Sequence, residues 1–307
     1  MGSVADKQHS AGVYDIFTRG GAMGAMMRSV AWSATPLGAP EDWPQSLRTS
    51  VSICLHSRFP ILIWWGKELV MLYNDAYSSI IAAKHPRAMG APGRAVFPEI
   101  WEVIGPMLTS VLRDGAATWS DDQLLLLDRN GYLEECYFTF SYSPIYGEGG
   151  GVDGVFTAVT ETTARVLGER RLAALRELAT SATEARTPAE ACALAARALE
   201  GNRADLPFAR IYLVAPPDLL ADAPGGRLRL AGATAGDARG SDDTVGVASD
   251  AERAQAARVA RTGEAEPLTD LPAPVTGRQD GERPPAEKPT AWALPIRQQE
   301  QRPVGTL

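Results

Sequence analysis

The chain has 307 residues, a hydrophobic content of 45%, a charged content of 22% and a formal net charge of −7. This length accommodates two ordinary domains, each with its own core. The acidic balance argues against a nucleic-acid partner, which would need a clustered basic face. No uninterrupted apolar run approaches the ~20 residues of a membrane span, and the start, MGSVADKQHSAGVYD, shows no charged segment leading into an apolar one. A cytoplasmic protein without a membrane span is therefore expected.

Cys54, Cys136 and Cys192 are odd in number and far apart, which fits reduced thiols rather than a disulfide framework or a zinc site. His9, His56 and His85 are the only histidines, so a metal site built from imidazoles is not expected.

In chain order, residues 1–22 are small, polar and Gly-rich and read as a flexible arm. A short amphipathic helix from Met23 to Val30 leads into a Pro/Gly-punctuated loop. A second helix opens near Trp43-Pro44, with Leu47, Val51 and Leu55 at helical spacing. Phe59–Trp65 and Leu69–Asn74 read as strands around Gly66-Lys67-Glu68. A helix opens at Asn74-Asp75 and the chain breaks again at His85-Pro86. Pro98 begins a helix that Gly115 ends, and Pro106 predicts a break or kink inside it.

Ala117–Leu127 and Tyr132–Ile145 predict long strands joined at Asp128-Arg129-Asn130-Gly131, where Asn-Gly is a strong hairpin signal. Alternation puts Phe138, Phe140 and Tyr142 on one face of the second strand. After a turn over 147–151, Val152–Thr160 supplies a fifth strand. Gly149-x-Gly151-x-x-Gly154 matches a dinucleotide fingerprint only formally, because no helix follows it.

Residues 161–186 read as a connector helix. Leu172, Leu175, Ala179 and Ala182 step as a coiled-coil seam would, with Leu178 beside them, while Arg165 and Gly168 interrupt the register. These residues form the expected dimer and signal face. Thr187-Pro188-Ala189-Glu190 is a helix start with a Thr cap and Pro at the first position. Strands are expected over Phe208–Val214, Arg227–Ala231, Ala291–Arg297 and from Pro303. Ser249-Asp250-Ala251-Glu252 predicts another helix, and residues 270–289 a flexible loop.

Several words in this order carry a resemblance: WSATPLG (Trp32–Gly38), WPQSLRT (Trp43–Thr49), SRFP (Ser57–Pro60), LYNDAY (Leu72–Tyr77), FTFSYSPI (Phe138–Ile145) and VTETTARVLGERRL (Val159–Leu172). They make Met23–Leu178 similar to the amino-terminal PAS domain of bacterial sensor histidine kinases and hybrid kinases. Glu161-Thr162-Thr163 stands where such a domain closes with Asp-x-Thr, with Glu161 replacing Asp. Residues 187–307 resemble part of a GAF domain, and the chain stops where a GAF sheet should continue, which implies a piece of a longer kinase.

The resemblance implies an α/β (α+β) fold: a five-stranded antiparallel PAS sheet with helices over 23–160, the connector, and an incomplete GAF-like domain. It further implies a sensory input region of a two-component system. Expected partners are a second copy, the kinase domains of the same parent chain and a response regulator. The alternative is a small-molecule- or heme-binding PAS sensor acting through protein contacts without a kinase. No catalytic or metal-binding residue is singled out, no phosphoacceptor His or ATP-binding motif is present, and the cofactor is left open. The candidate ligand-binding set is Tyr73, Asn74, Tyr77, His85, Trp101, Phe138, Phe140 and Tyr142.

Overall fold

The computed structural model describes residues 16–18, 20–214, 228–234, 250–268, 292–297 and 303–306. The chain divides into two units, residues 1–166 and 167–307. The elements of the first unit, in order, are α1 (Gly21–Ser29), α2 (Gln45–His56), β1 (Ile61–Trp65), β2 (Val70–Tyr73), α3 (Asp75–Ile81), α4 (Gly93–Val96), α5 (Trp101–Asp114), β3 (Thr118–Asp128), β4 (Leu133–Tyr146) and β5 (Val152–Glu161). Helix α6 (Thr163–Glu184) follows directly.

β1 has the sequence ILIWW and is buried along its whole length, so both of its faces need cover. It pairs antiparallel with β2 on one side and β5 on the other, in a sheet of order β2-β1-β5-β4-β3. All pairings in this sheet are antiparallel and the helices sit between β2 and β3, as the strand reading expects.

The amino-terminal segment supplies one cover. Trp43 meets Trp32 edge-on at 5.0 Å and Phe17 at 5.9 Å. Both indole N–H groups donate to backbone oxygens, Trp32 to Met27 and Trp43 to Gly38, so neither ring buries an unmet donor. Leu47 and Val51 on α2 join the same core as β1. The arm expected over residues 1–22 is thereby shortened. Phe17 is 0% exposed, and α1 begins at Gly21, where φ is +65° and a left-handed turn favours glycine. The Asp75 carboxylate then accepts from Ala22 N at 3.1 Å and Met23 N at 2.6 Å, meeting two orphan donors of α1. Residues 1–15 lie outside the described residues.

α5 runs unbroken through Pro106 instead of breaking there. Pro106 is the sixth residue of the helix, so the carbonyl that loses its partner is that of the exposed Glu102, where water can replace the bond. The alternation in β4 holds: Cys136, Phe138, Phe140 and Tyr142 are buried. β3 carries a bulge between Ser120 and Gln123, with Asp122 at φ +46°.

In the second unit, α7 (Pro188–Glu200) starts as its sequence predicts, with Thr187 Oγ1 accepting from Glu190 N at 3.1 Å. The Glu190 carboxylate reaches back to Arg186 N, one residue beyond the usual capping-box partner, the N-cap Thr187. β6 (Arg210–Val214), β7 (Leu228–Ala233), α8 (Asp250–Thr262), β8 (Glu266–Pro267), β9 (Trp292–Ala293), β10 (Pro295–Arg297) and β11 (Pro303–Thr306) follow. One sheet has the order β10-β11-β6-β7, and β8 pairs with β9. The single strand expected over 291–297 is therefore two strands in different sheets, divided at Leu294-Pro295, where proline offers no N–H to a ladder. Ser249 and the loop expected at 270–289 lie outside the described residues.

Asn74 ties the first unit together. Its Oδ1 accepts from Ile61 N at 3.1 Å and from Tyr77 N at 3.0 Å, so it starts β1's ladder and caps α3. Its Nδ2 lies within hydrogen-bond distance of the Cys54, Ser57 and Phe59 carbonyls, at 3.1, 3.1 and 2.7 Å. Asn74→Asp keeps the capping oxygen but turns a buried donor into an anion facing carbonyls. It should destabilise the unit by about 3 kcal/mol or more in urea unfolding at neutral pH. A loss below about 1 kcal/mol would show that the capping role alone matters.

Candidate functional site: an apolar cavity and the root of a helix

The inner face of the sheet and helices α3 and α5 enclose a cavity of about 50 Å³. β1 contributes Leu62 and Trp64, β4 contributes Phe138, Phe140 and Tyr142, and β5 contributes Thr157 and Val159. Strand pairing explains why these meet. Tyr142, Thr157 and Leu62 are cross-strand partners across β4, β5 and β1, so they point to the same face. Tyr77 comes from α3, and Leu125 and Leu127 from β3. The single buried polar contact within this lining is the Trp64 Nε1 donation to Thr157 Oγ1 at 3.0 Å.

Trp64 can sit here because its neighbours leave room. A Cβ at Gly93 would lie 2.4 Å from the Trp64 ring, so glycine is required for that close approach. Phe97 and Trp101 then pack on Trp64 at 6.3 and 6.4 Å between centroids.

Of the expected ligand set, Tyr77, Phe138, Phe140 and Tyr142 line the cavity; Tyr73, Asn74, His85 and Trp101 do not. Tyr73 is fully buried, and its hydroxyl lies 3.0 Å from His85 Nδ1, an arrangement that occupies both. Asn74 spends its polar atoms on backbone. Trp101 is half-buried and supports Trp64 rather than facing the cavity. Sequence reasoning missed Thr157, although Val155, Thr157 and Val159 alternate in β5 and a polar residue in that series was a readable signal.

The lining does not fit heme. It includes no His, Cys or Met to serve as an axial ligand, and His85 is turned to Tyr73. Its volume is also far below the roughly 300–1,000 Å³ typical of sites for larger ligands. Among the described residues no cluster of metal-binding side chains is present, and no helix is long and apolar enough to cross a membrane.

A second constellation holds the first turn of α6. Arg129, in the β3–β4 turn, makes a bidentate pair with Glu161 at 2.9 Å on both nitrogens. It also donates to Glu134 Oε2 at 3.1 Å and to the Ile80 carbonyl at 2.9 Å. Thr163 Oγ1 donates to Glu161 Oε1 at 3.1 Å and accepts from Tyr137 N at 2.9 Å. On β3, Asp122 accepts from Thr162 Oγ1 at 2.7 Å and from Arg165 Nη2 at 2.5 and 2.6 Å. The Thr162 hydroxyl, followed by the Arg165 guanidinium, holds the Asp122 carboxyl below its ordinary range. Burial pushes the Cys136 thiol up to about 11, so this thiol stays protonated at neutral pH.

A family model described as the PAS fold matches residues 56–167. Residues 56–167 carry the PAS fold. Among solved structures, the chain is similar to a sensory box sensor histidine kinase from Vibrio cholerae, at 18% identity, covering 34% of this chain and 77% of that one, with a TM-score of 0.26. It is also similar to the PAS domain of BvgS from Bordetella pertussis, at 19% identity, covering 38% and 84%, with a TM-score of 0.26. No curated protein matches the chain.

Within this PAS domain Glu161, in the place of Asp, ties the end of β5 to the start of α6. The longer side chain reaches Arg129 with both oxygens and still accepts from Thr163. The residues missed here are Arg129 and Asp122. An acidic pair, Asp121-Asp122, inside an apolar strand was the available signal for a bulge.

Two outcomes follow from this geometry. Phe140→Ala removes a ring that is 3% exposed and should cost about 3–5 kcal/mol in equilibrium unfolding; a loss under about 1 kcal/mol would place the ring outside the core. The folded pKa of Asp122 is depressed, so its stabilisation is complete above the unfolded carboxylate value of about 3.9 and is lost as pH falls through the lower, folded value. The protection factors of amides in the first turn of α6, taken relative to intrinsic exchange at each pH, should therefore fall in acid, and Asp122→Asn should lower them at neutral pH as well. Equal protection in the variant and the parent at pH 7 would show that Asp122 does not hold this turn.

Proposed function

We propose that this chain is the sensory input region of a bacterial two-component histidine kinase. The PAS cup reads a ligand or a contact, and α6 carries its state towards kinase domains of the same parent protein. A response regulator would receive the signal, and the protein would work in the cytoplasm as a homodimer. The observation that carries this reading is the pair of ties at the root of α6. Arg129 holds Glu161, and Asp122 holds Thr162 and Arg165, so a change in β3 is delivered to the helix rather than absorbed in a loop. The co-ordered sequence words shared with sensor kinases support the kinase parent.

The second unit is read as part of a GAF-like domain, supported by an antiparallel sheet flanked by α7 and α8. Homodimerisation is supported by the surface of α6, which has no buried residue. Leu172 and Leu175 are 46% and 62% exposed, Ala179 is exposed and Leu178 half-buried. Two copies packed along this stripe would remove apolar surface from water and leave the charged positions outside.

The test is Leu172→Asp combined with Leu175→Asp, read by sedimentation. The parent should associate and the double variant should be monomeric at the same concentration. An unchanged association state would remove the connector as the dimer seam and with it this route for the signal.

A further inference from the structure

A second cavity lies on the other face of the sheet, outside the cup. Along β1, Trp64 points into the cup and Trp65, the next residue, to the face covered by the amino-terminal cap. There Trp65 lines a space of about 290 Å³ that opens to solvent. This is close to the roughly 300–1,000 Å³ of small-molecule sites. Pro36 and Leu37 come from the cap loop, Pro44 and Leu47 from the entry to α2, and Val70 from β2. The β1–β2 turn adds Gly66, Lys67 and Glu68.

Trp65 differs from the other buried tryptophans of this unit. The indole N–H groups of Trp32, Trp43 and Trp64 donate to Met27 O, Gly38 O and Thr157 Oγ1. That of Trp65 has no hydrogen-bond partner among the described residues and is not sealed from solvent, although the residue is only 8% exposed. Gly154, its cross-strand partner on β5, sets the ring's direction: a Cβ there would lie 2.6 Å from Cε3 and 3.1 Å from Cζ3. Glycine thus lets the benzo edge lie over β5. The N–H edge, on the far side of the ring system, turns towards β2, where the other cross-strand partner, Val70, lines the cavity. A donor placed so deep with no protein acceptor calls for one from outside.

The charges of the lining restrict what that acceptor belongs to. Lys67 and Glu68 are exposed at the rim, and neither side chain makes an ion pair or hydrogen bond among the described residues. The start of α2 is already served, because Ser46 N and Oγ donate to Glu148 at 2.9 and 3.2 Å. The side chains left to recognise a ligand are one N–H donor, one cation and one anion, beside an apolar wall of Leu37, Pro44, Leu47 and Val70. A simple anion would meet Glu68 and a simple cation Lys67, each against a like charge. A zwitterion with an apolar part answers all of them.

We propose that this cavity binds a free α-amino acid with an aliphatic side chain. Its carboxylate accepts from Trp65 Nε1 and faces Lys67, its ammonium faces Glu68, and its side chain packs on Leu37, Leu47 and Val70. The site is separate from the cup and from α6, and depends on neither.

The test titrates the full chain with leucine, following the Trp65 indole N–H and the Leu37 methyl signals by NMR. Leucine should shift both. Leucinamide, which lacks the carboxylate, should bind about tenfold more weakly, and isocaproate, which lacks the ammonium, several-fold more weakly. Glycine keeps both charges without a side chain and should bind about tenfold more weakly or worse. Lys67→Gln and Glu68→Gln, both on an exposed turn, should each weaken leucine several-fold. Trp65→Phe keeps an aromatic ring, removes the donor and should cost about tenfold, read at Leu37. No response of the Trp65 and Leu37 signals to leucine would overturn the proposal. So would isocaproate, leucinamide or glycine binding as tightly as leucine, or leucine binding indifferent to the Lys67 and Glu68 variants.

Discussion

One amide fixes where the first unit's sheet begins. The chain leaves α2 at His56 and must turn into β1 within a few residues; the Cys54 carbonyl accepts from Ser57 N at the helix end, which leaves the Ser57 and Phe59 carbonyls without strand or helix partners. The Asn74 amide meets them, and its oxygen pins Ile61 N and Tyr77 N. Register is what this secures. β1 is buried on both faces, with Leu62 and Trp64 towards the cavity, so hydrophobicity alone cannot distinguish its two sides. A slip of one residue would exchange them and drive Trp64 out of the cup. A fully apolar strand is therefore set in place by a polar residue outside it.

The second consequence of a two-faced β1 is the amino-terminal cap. Trp32, Trp43 and Phe17 form one edge-packed cluster, and α1 is anchored to α3 through Asp75. The cap and the cup helices thus share residues within one α3 turn: Asn74 opens the helix, Asp75 holds α1, and Tyr77 lines the cavity. Movement of α3 would be felt on both faces of β1.

Much of this was legible because strands and caps leave local signatures. The alternation in β4, the Asn130-Gly131 turn and the Thr187-Pro188 helix start each follow from neighbouring residues alone. The depth of a side chain does not. Tyr73 and His85 looked as suited to a ligand as Tyr77, but a periodic pattern gives a face and not a partner, and these two partner each other. Phe17 was hidden in a Gly-rich stretch because its burial depends on Trp43, many residues away. Arg129 was hidden for the same reason. It lies in a turn, where charge is ordinary, and its partners Glu134 and Glu161 come from two other strands.

β3 links the cavity to the connector. It is an edge strand, paired only with β4, so it is the member of the sheet least constrained by neighbours. Leu125 and Leu127 face the cavity, Asp122 precedes them at the bulge, and Arg129 follows them in the turn. The β3 residues that line the cup thus lie between the two that hold the root of α6. Arg129 also binds the carbonyl of Ile80, itself part of the lining, so α3 and β3 press on the same guanidinium. A ligand shifts an equilibrium only through contacts that differ between its two states. In this domain the contacts available for that are the walls of an apolar cavity, and the groups nearest to them along β3 are the ion pairs on which the helix begins.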